Sequence, residues 1–157
     1  MGHFADVECQ IRQLQARYAD AVWRADYEAF GNCFMDDAEW RVGGRIMPGK
    51  AEILANIKRL RPMAHRILMT FRTPILDVPG DGTASSRTYV TEHNVFIDGR
   101  PGASIGTYYE RFVHVGGQWK FKWRLFQTHY VGTADVSGPL YQNPEWGPPP
   151  NMPPLDA

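Results

Sequence analysis

A carboxylate, an imidazole and an amide stand side by side at Glu92-His93-Asn94, inside a stretch whose other residues favour a β-strand. Residues 83–97 are rich in Thr, Val, Tyr, Phe and Ile, and Asp98-Gly99 closes them with a hairpin signal. Polar groups in mid-strand are costly where the sheet is buried, so each needs a partner or a task. Period-two alternation puts Glu92 on one face with Ala84, Ser86, Thr88, Val90, Asn94 and Phe96. The small members of that row leave room for a ligand. Burial would raise the Glu92 pKa toward a general base's working range. The bland alternative is an ion pair with Arg72 or Arg87.

Other candidates join it from elsewhere in the chain. Tyr18 lies on an apolar helical stripe, so its ring is buried and its hydroxyl must find a partner, in the substrate or in the protein. His65 could protonate a leaving hydroxyl, although it falls between a helix end and a strand, where surface histidines are ordinary. Arg72 could hold a developing oxyanion or a phenolate; solvent exposure is the commoner fate. Asn94 shares the face of Glu92 and could orient it or bind substrate. His93 should point to the opposite face unless a bulge intervenes. Trp23, Phe30, Trp40, Met69, Tyr108 and Trp123 are expected to line the cavity, each alone being as readily core. Asp26 reads as a helix cap, and His3 and His114 as solvated.

These residues need elements to hold them. Apolar positions at Val7, Ile11, Leu14, Tyr18 and Ala21 or Val22 predict a first helix. A short second helix follows over Tyr27–Phe34, and Pro48-Gly49 opens a third over residues 50–60. Ala38–Ile46 reads as a strand broken at Gly43-Gly44. Arg66–Val78, Thr83–Ile97, Ala103–Val115 and Gln118–Val131 read as four long strands separated by short turns, an antiparallel meander. In Trp119-Lys-Phe-Lys-Trp-Arg-Leu125 rings and cations alternate, predicting one buried and one wet face. The expected fold is α+β: a cone-shaped, strongly curved antiparallel sheet with three N-terminal-half helices packed on its concave side. Its mouth is a natural pocket.

Bulk properties narrow the function classes. The chain's 157 residues suit one domain, expected over residues 1–136. Residues 137–157 form a tail with seven of the twelve prolines, expected as a lid or a subunit contact. Seventeen basic residues balance seventeen acidic ones, so no field draws nucleic acid or an anionic membrane. Cys9 and Cys33 make no disulfide framework, and no Cys/His spacing suits zinc; no metal is expected. Cys9 reads as a small buried hydrophobe. No signal-peptide pattern and no run of about 18 apolar residues is present, so a cytoplasmic protein is expected.

The order helix–helix–strand–helix–four strands resembles the nuclear-transport-factor-2-like superfamily, in its SnoaL-like branch. Arg17-Tyr-Ala-Asp20 with Asp26-Tyr-Glu28 is similar to that branch's first two helices, and Asp81-Gly-Thr-Ala84 to its entry to the central strand. Gly106-Thr-Tyr-Tyr-Glu-Arg-Phe112 with Gly117-Gln-Trp119 resembles its last hairpin. The likeness covers about residues 7–131. Within the branch the chain is most similar to the scytalone dehydratase and bile acid 7α-dehydratase group, which uses no cofactor and works by a pocket Tyr, Asp and His. The group's tyrosine falls on Tyr18 and its mid-strand aspartate on Glu92. Its first-helix acid falls on Trp23 and its histidine on Met69, with His65 four residues earlier.

The resemblance implies a lyase without cofactor, acting on a small hydrophobic, aromatic and hydroxylated substrate. Glu92 would abstract a proton, His65 or Tyr18 would assist departure of a hydroxyl, and Arg72 would hold negative charge. Dehydration is one version. Loss of hydroxide coupled to C–C cleavage, such as deformylation of a lignin-type phenolic dimer, is another. An isomerase or cyclase using one carboxylate base, or a non-catalytic binding protein, are the alternatives. Relatives' habits imply a homodimer or homotrimer.

Overall fold

Apolar spacing on the first helix decides how the layers stack. In the computed structural model, which describes residues 3–134, α1 spans Phe4–Arg24. The proline-rich tail and its expected role lie outside the described residues. The buried face of α1 carries Val7, Ile11, Leu14, Tyr18, Ala21 and Val22, the predicted stripe, together with Gln15. Its first turn is held by a capping box between His3 and Asp6. It stops at Ala25, whose left-handed backbone (φ 56°) turns the chain into α2, Tyr27–Asn32. Asp26 caps α2, accepting from the Ala29 amide at 2.9 Å as expected. Cys9 is exposed, not buried, because it lies off the apolar stripe; Cys33 is the buried thiol.

The sheet follows with two adjustments. β1 (Phe34–Val42) and β2 (Arg45–Pro48) form a hairpin around Gly43-Gly44, whose positive φ values suit a tight turn. After α3 (Lys50–Leu60) and a short 3₁₀ turn, β3 covers Ala64–Phe71. The single strand expected over Arg66–Val78 is broken near Pro74, and β4 is only Ile75–Asp77. β5 (Thr83–Phe96), β6 (Pro101–Val115) and β7 (Gln118–Gly132) are long. The order is β2-β1-β7-β6-β5-β3, with β4 also on β5. The meander is antiparallel as read, but β1 joins β7 in parallel, so the sheet is mixed. The three helices pack against this curved sheet, an α+β arrangement.

Register aligns inward-facing side chains in rows across the strands. One row runs Trp40, Arg124, Glu110, Ser86 over β1, β7, β6 and β5. The strict alternation expected over Trp119–Leu125 fails here. Arg111 pairs with Trp123 while Phe112 pairs with Phe121, so Lys122 is an extra residue in β7. Trp119 and Phe121 point inward before this bulge, and Arg124 and Phe126 after it. Arg124 is therefore wholly buried, 0% exposed, against Glu110 at 1%. Trp123 is turned to the outer face, where its indole N–H donates to Glu39 at 3.0 Å and Arg41 and Arg111 lie over its ring.

The buried guanidinium is satisfied in part by charge and in part by rings. Arg124 Nε donates to Glu110 Oε1 at 2.8 Å. Glu110 also accepts from Gln15 at 2.7 Å and Ser86 at 3.1 Å, and Gln15 donates to Thr88 at 3.1 Å. The Arg124 carbon centre lies 3.9–4.2 Å from the ring centroids of Tyr108, Tyr18 and Phe121. Removing one member of such a pair strands a charge in the core. Glu110→Gln should cost about 3–5 kcal/mol of unfolding free energy, measured by urea denaturation. Replacing the pair together, Glu110→Leu with Arg124→Met, should recover most of that loss.

Candidate active site

Between the helices and the concave side of the sheet lies a cavity of about 360 Å³, within the range of small-molecule sites. Its apolar wall includes Val22, Ile57, Leu60, Ile67, Met69, Phe96 and Phe126. Its polar groups come from Tyr18 of α1, Trp40 of β1, Asn56 of α3, Glu92 and Asn94 of β5, Ser104 and Tyr108 of β6, and Thr128 of β7. Glu92 is the single carboxylate among the lining residues, and none of them is Lys, Arg or His. A larger depression of about 640 Å³ lies between α1 and β3, beside Cys9, Arg12 and Arg72. Its cations are exposed to water, which levels their chemistry, so the smaller, more apolar cavity is the candidate site.

Strand parity delivers Glu92 to this cavity. Ala84, Ser86, Thr88 and Val90 are buried on the same face, and Glu92, Asn94 and Phe96 continue it into the cavity. Ser86 and Thr88 do not leave room for ligand, since they hold the Glu110 network. Glu92 has no ion-pair partner among the described residues; Arg72 instead donates to Thr91 at 3.1 Å. Asn94 Nδ2 donates to Glu92 Oε1 at 2.9 Å, leaving Asn94 Oδ1 buried without a partner. Burial pushes the Glu92 carboxyl above its ordinary 4.5, and the Asn94 hydrogen bond pulls part of the way back.

Two phenols face the same space. Tyr18 is 0% exposed and its hydroxyl has no hydrogen-bond partner among the described residues. Burial raises the pKa of Tyr18, and that of Tyr108 further, while Arg124 beneath both rings opposes the rise. Both phenols therefore stay protonated near neutrality and are hydrogen-bond donors, not bases. Burial weighs against the Arg124 charge, but Glu110 and the two phenols outweigh it and its pKa is raised.

Of the expected residues, the cavity gathers Glu92, Tyr18, Asn94, Trp40, Met69 and Tyr108. Six others lie off it. His65 is exposed, because a register shift between Ala64 and Arg66 makes it the extra residue of a bulge; Ile67 and Met69 then face inward without it. His93 has the opposite parity to Glu92, paired with Leu68, which is on the exposed face. Arg72 is exposed just past the end of β3. Trp23 lies past the inward stripe of α1, with the Arg66 guanidinium 5.3 Å from its ring. Phe30 packs behind Tyr18, their centroids 5.3 Å apart, and Trp123 is on the outer face. His129 sits outside at 2.7 Å from the Thr107 hydroxyl.

Arg124 and Asn56 were not legible as site residues. Arg124 had been assigned to a wet face, and only the bulge at Lys122 reverses that. Asn56 sits on α3 among Ile53 and Ile57, a buried helical stripe that could have flagged it.

No curated protein matches the chain. Solved structures share the fold at low identity. A candidate scytalone dehydratase from Novosphingobium aromaticivorans DSM 12444 is 19% identical with a TM-score of 0.78, covering 84% of this chain and 90% of its own. The hexachlorocyclohexane dehydrochlorinase LinA type 2 is 16% identical with a TM-score of 0.77, covering 94% and 97%. A candidate aromatic ring hydroxylase from Novosphingobium aromaticivorans is 21% identical with a TM-score of 0.78, covering 85% and 96%. The SnoaL-like domain family matches residues 5–124. By that match, over most of its length, the chain belongs to the SnoaL-like domain family.

Proposed function

We propose that the protein is a lyase working by general acid/base catalysis on a small, largely apolar hydroxylated substrate, with Glu92 as base. The carrying observation is a carboxylate, single among the described lining residues and raised in pKa by burial, in a largely apolar cavity. Glu92 takes a proton from carbon, that electron pair becomes a double bond, and the adjacent C–O bond breaks. The departing oxygen leaves as water, drawing a proton from Tyr18 or Tyr108, which Glu92 restores. Asn94 holds the Glu92 carboxylate in place through its 2.9 Å hydrogen bond. The Arg124 cation beneath both phenol rings strengthens their hydroxyls as donors to the developing negative charge. Dehydration is the simplest outcome. Hydroxide loss followed by C–C cleavage with release of formaldehyde uses the same groups on a phenolic substrate.

The fold neighbours named for dehydration and dehydrochlorination support elimination as the reaction type. One observation favours a second reading, an isomerase: the cavity has one base and no histidine, an arrangement suited to removing and returning the same proton. Incubation with phenolic alcohols and their allylic isomers, followed by mass spectrometry for lost water or formaldehyde, separates the two.

Glu92→Gln keeps the shape and removes the base. It should lower kcat by about 10²–10⁴-fold with KM little changed, measured by steady-state kinetics. Because the Glu92 pKa is raised, the acidic limb of kcat against pH should fall above the ordinary carboxylate range, activity being lost as pH drops through it.

The same shift has a consequence for stability. The folded state holds the Glu92 proton more tightly than the unfolded chain. That contribution is fully present below the unfolded pKa near 4.5 and is lost as pH rises through the higher folded value. Thermal melts should therefore show Glu92→Gln more stable than the parent at pH 8, with the gap closing toward pH 4.

A further inference from the structure

Trp40 and Glu92 enter the cavity from different rows of the sheet. Trp40 lies in the row of Arg124 and Glu110, whereas Glu92 is three inward-facing rows further along β5, opposite Ser104 and Met69. Trp40 is 6% exposed, and its indole Nε1 is buried with no acceptor among the described residues. An N–H left so is costly unless something else accepts from it. Asn56 is 7% exposed and also lines the cavity. Its Oδ1 accepts from Arg59 at 3.0 Å, which fixes the amide's orientation and makes Nδ2 its donor. Two elements that pack against each other, β1 and α3, thus each bring a donor to the wall.

Charge decides what such donors can take. No cation lines the cavity, and the Arg124 charge is committed to Glu110. An anionic ligand would share a low-dielectric space with the Glu92 carboxylate and meet no compensating cation. An uncharged oxygen has neither penalty.

We infer that Trp40 and Asn56 form a second polar subsite, which takes an uncharged acceptor oxygen, a carbonyl or an ether, other than the group that reacts at Glu92. This rests on the cavity being the active site and adds the polarity of its substrate: oxygenated at both ends and uncharged. Trp40 and Asn56 are specificity-determining residues that bind the non-reacting end.

The test is a fluorescence titration at pH 8 with three probes of one shape: 2-acetylnaphthalene, 2-ethylnaphthalene and 2-naphthoate. The ketone should bind about tenfold more tightly than the hydrocarbon, the contribution of one or two neutral hydrogen bonds. Naphthoate should bind most weakly. Trp40→Phe, which keeps a ring and removes the N–H, should weaken the ketone more than the hydrocarbon and so erase most of the ketone's advantage; a thermal melt as cooperative as the parent's shows that the variant is folded. Asn56→Leu should do the same independently. Equal affinities for ketone and hydrocarbon, including no binding of either, overturn the proposal. So does a ketone preference that survives in both variants, or naphthoate binding best. Glu92→Gln should retain the ketone preference. A failure of the acid/base reading would instead appear as turnover surviving Glu92→Gln, in a separate assay.

Discussion

A guanidinium wholly removed from water is the constraint around which the rest is arranged. Arg124 is 0% exposed and would be intolerable in the core without Glu110, its neighbour across the β6–β7 ladder. The carboxylate's remaining capacity is filled by Gln15 of α1 and Ser86 of β5. These bonds tie the first helix to the sheet at one register. Sliding α1 by a turn would leave Glu110 short of a donor and Gln15 buried and unpaired. The helix position sets where Tyr18, three residues beyond Gln15, meets the cavity.

The pair also shapes the electrostatics of the space above it. Because Arg124 and Glu110 cancel at short range, the floor of the cavity carries little net charge. Among the described residues Glu92 is then the one formal charge on the wall, and its basicity is governed by burial and by Asn94, with no lining cation among those residues to depress it. What reaches upward from Arg124 is its effect on Tyr18 and Tyr108, whose rings cover it. A cation below and protonated hydroxyls above give donors to an oxygen gaining negative charge, without placing a mobile proton-accepting group beside the base.

Much of this was legible in the chain, and the misses at His65, Trp123 and Arg124 share one physical cause. The α1 stripe, the Asp26 cap and the parity of β5 are local properties, so periodicity places Tyr18, Glu92 and Asn94 on inward faces. Bulges are not local in that sense. The extra residue Lys122 carries no turn chemistry, yet it reverses the side chains that follow it, sending Trp123 out and Arg124 in. The shift at His65 does the same on β3. The parallel contact of β1 with β7 joins segments about eighty residues apart, beyond the reach of any window of sequence. The bulge takes His65 off the wall, whereas His93 keeps the outward parity read for it and Arg72 lies exposed past the end of β3.

Those reversals bear on chemistry as well as on placement. With His65 and His93 outside and Met69 on the wall, the cavity has no imidazole to share a proton with Glu92. In a base–histidine pair, the partner's charge would hold the carboxylate ionised and lower its basicity. Here the carboxylate is supported by a neutral amide, so desolvation prevails and the group becomes a stronger base. The cost is a site that makes the Glu92 charge harder to hold than water does, which an anionic ligand would aggravate and an uncharged one with an acidic C–H or O–H relieves. Enclosure, lone carboxylate and protonated phenols thus support one another. Adding a cation to the wall would lower the basicity that makes the cavity useful.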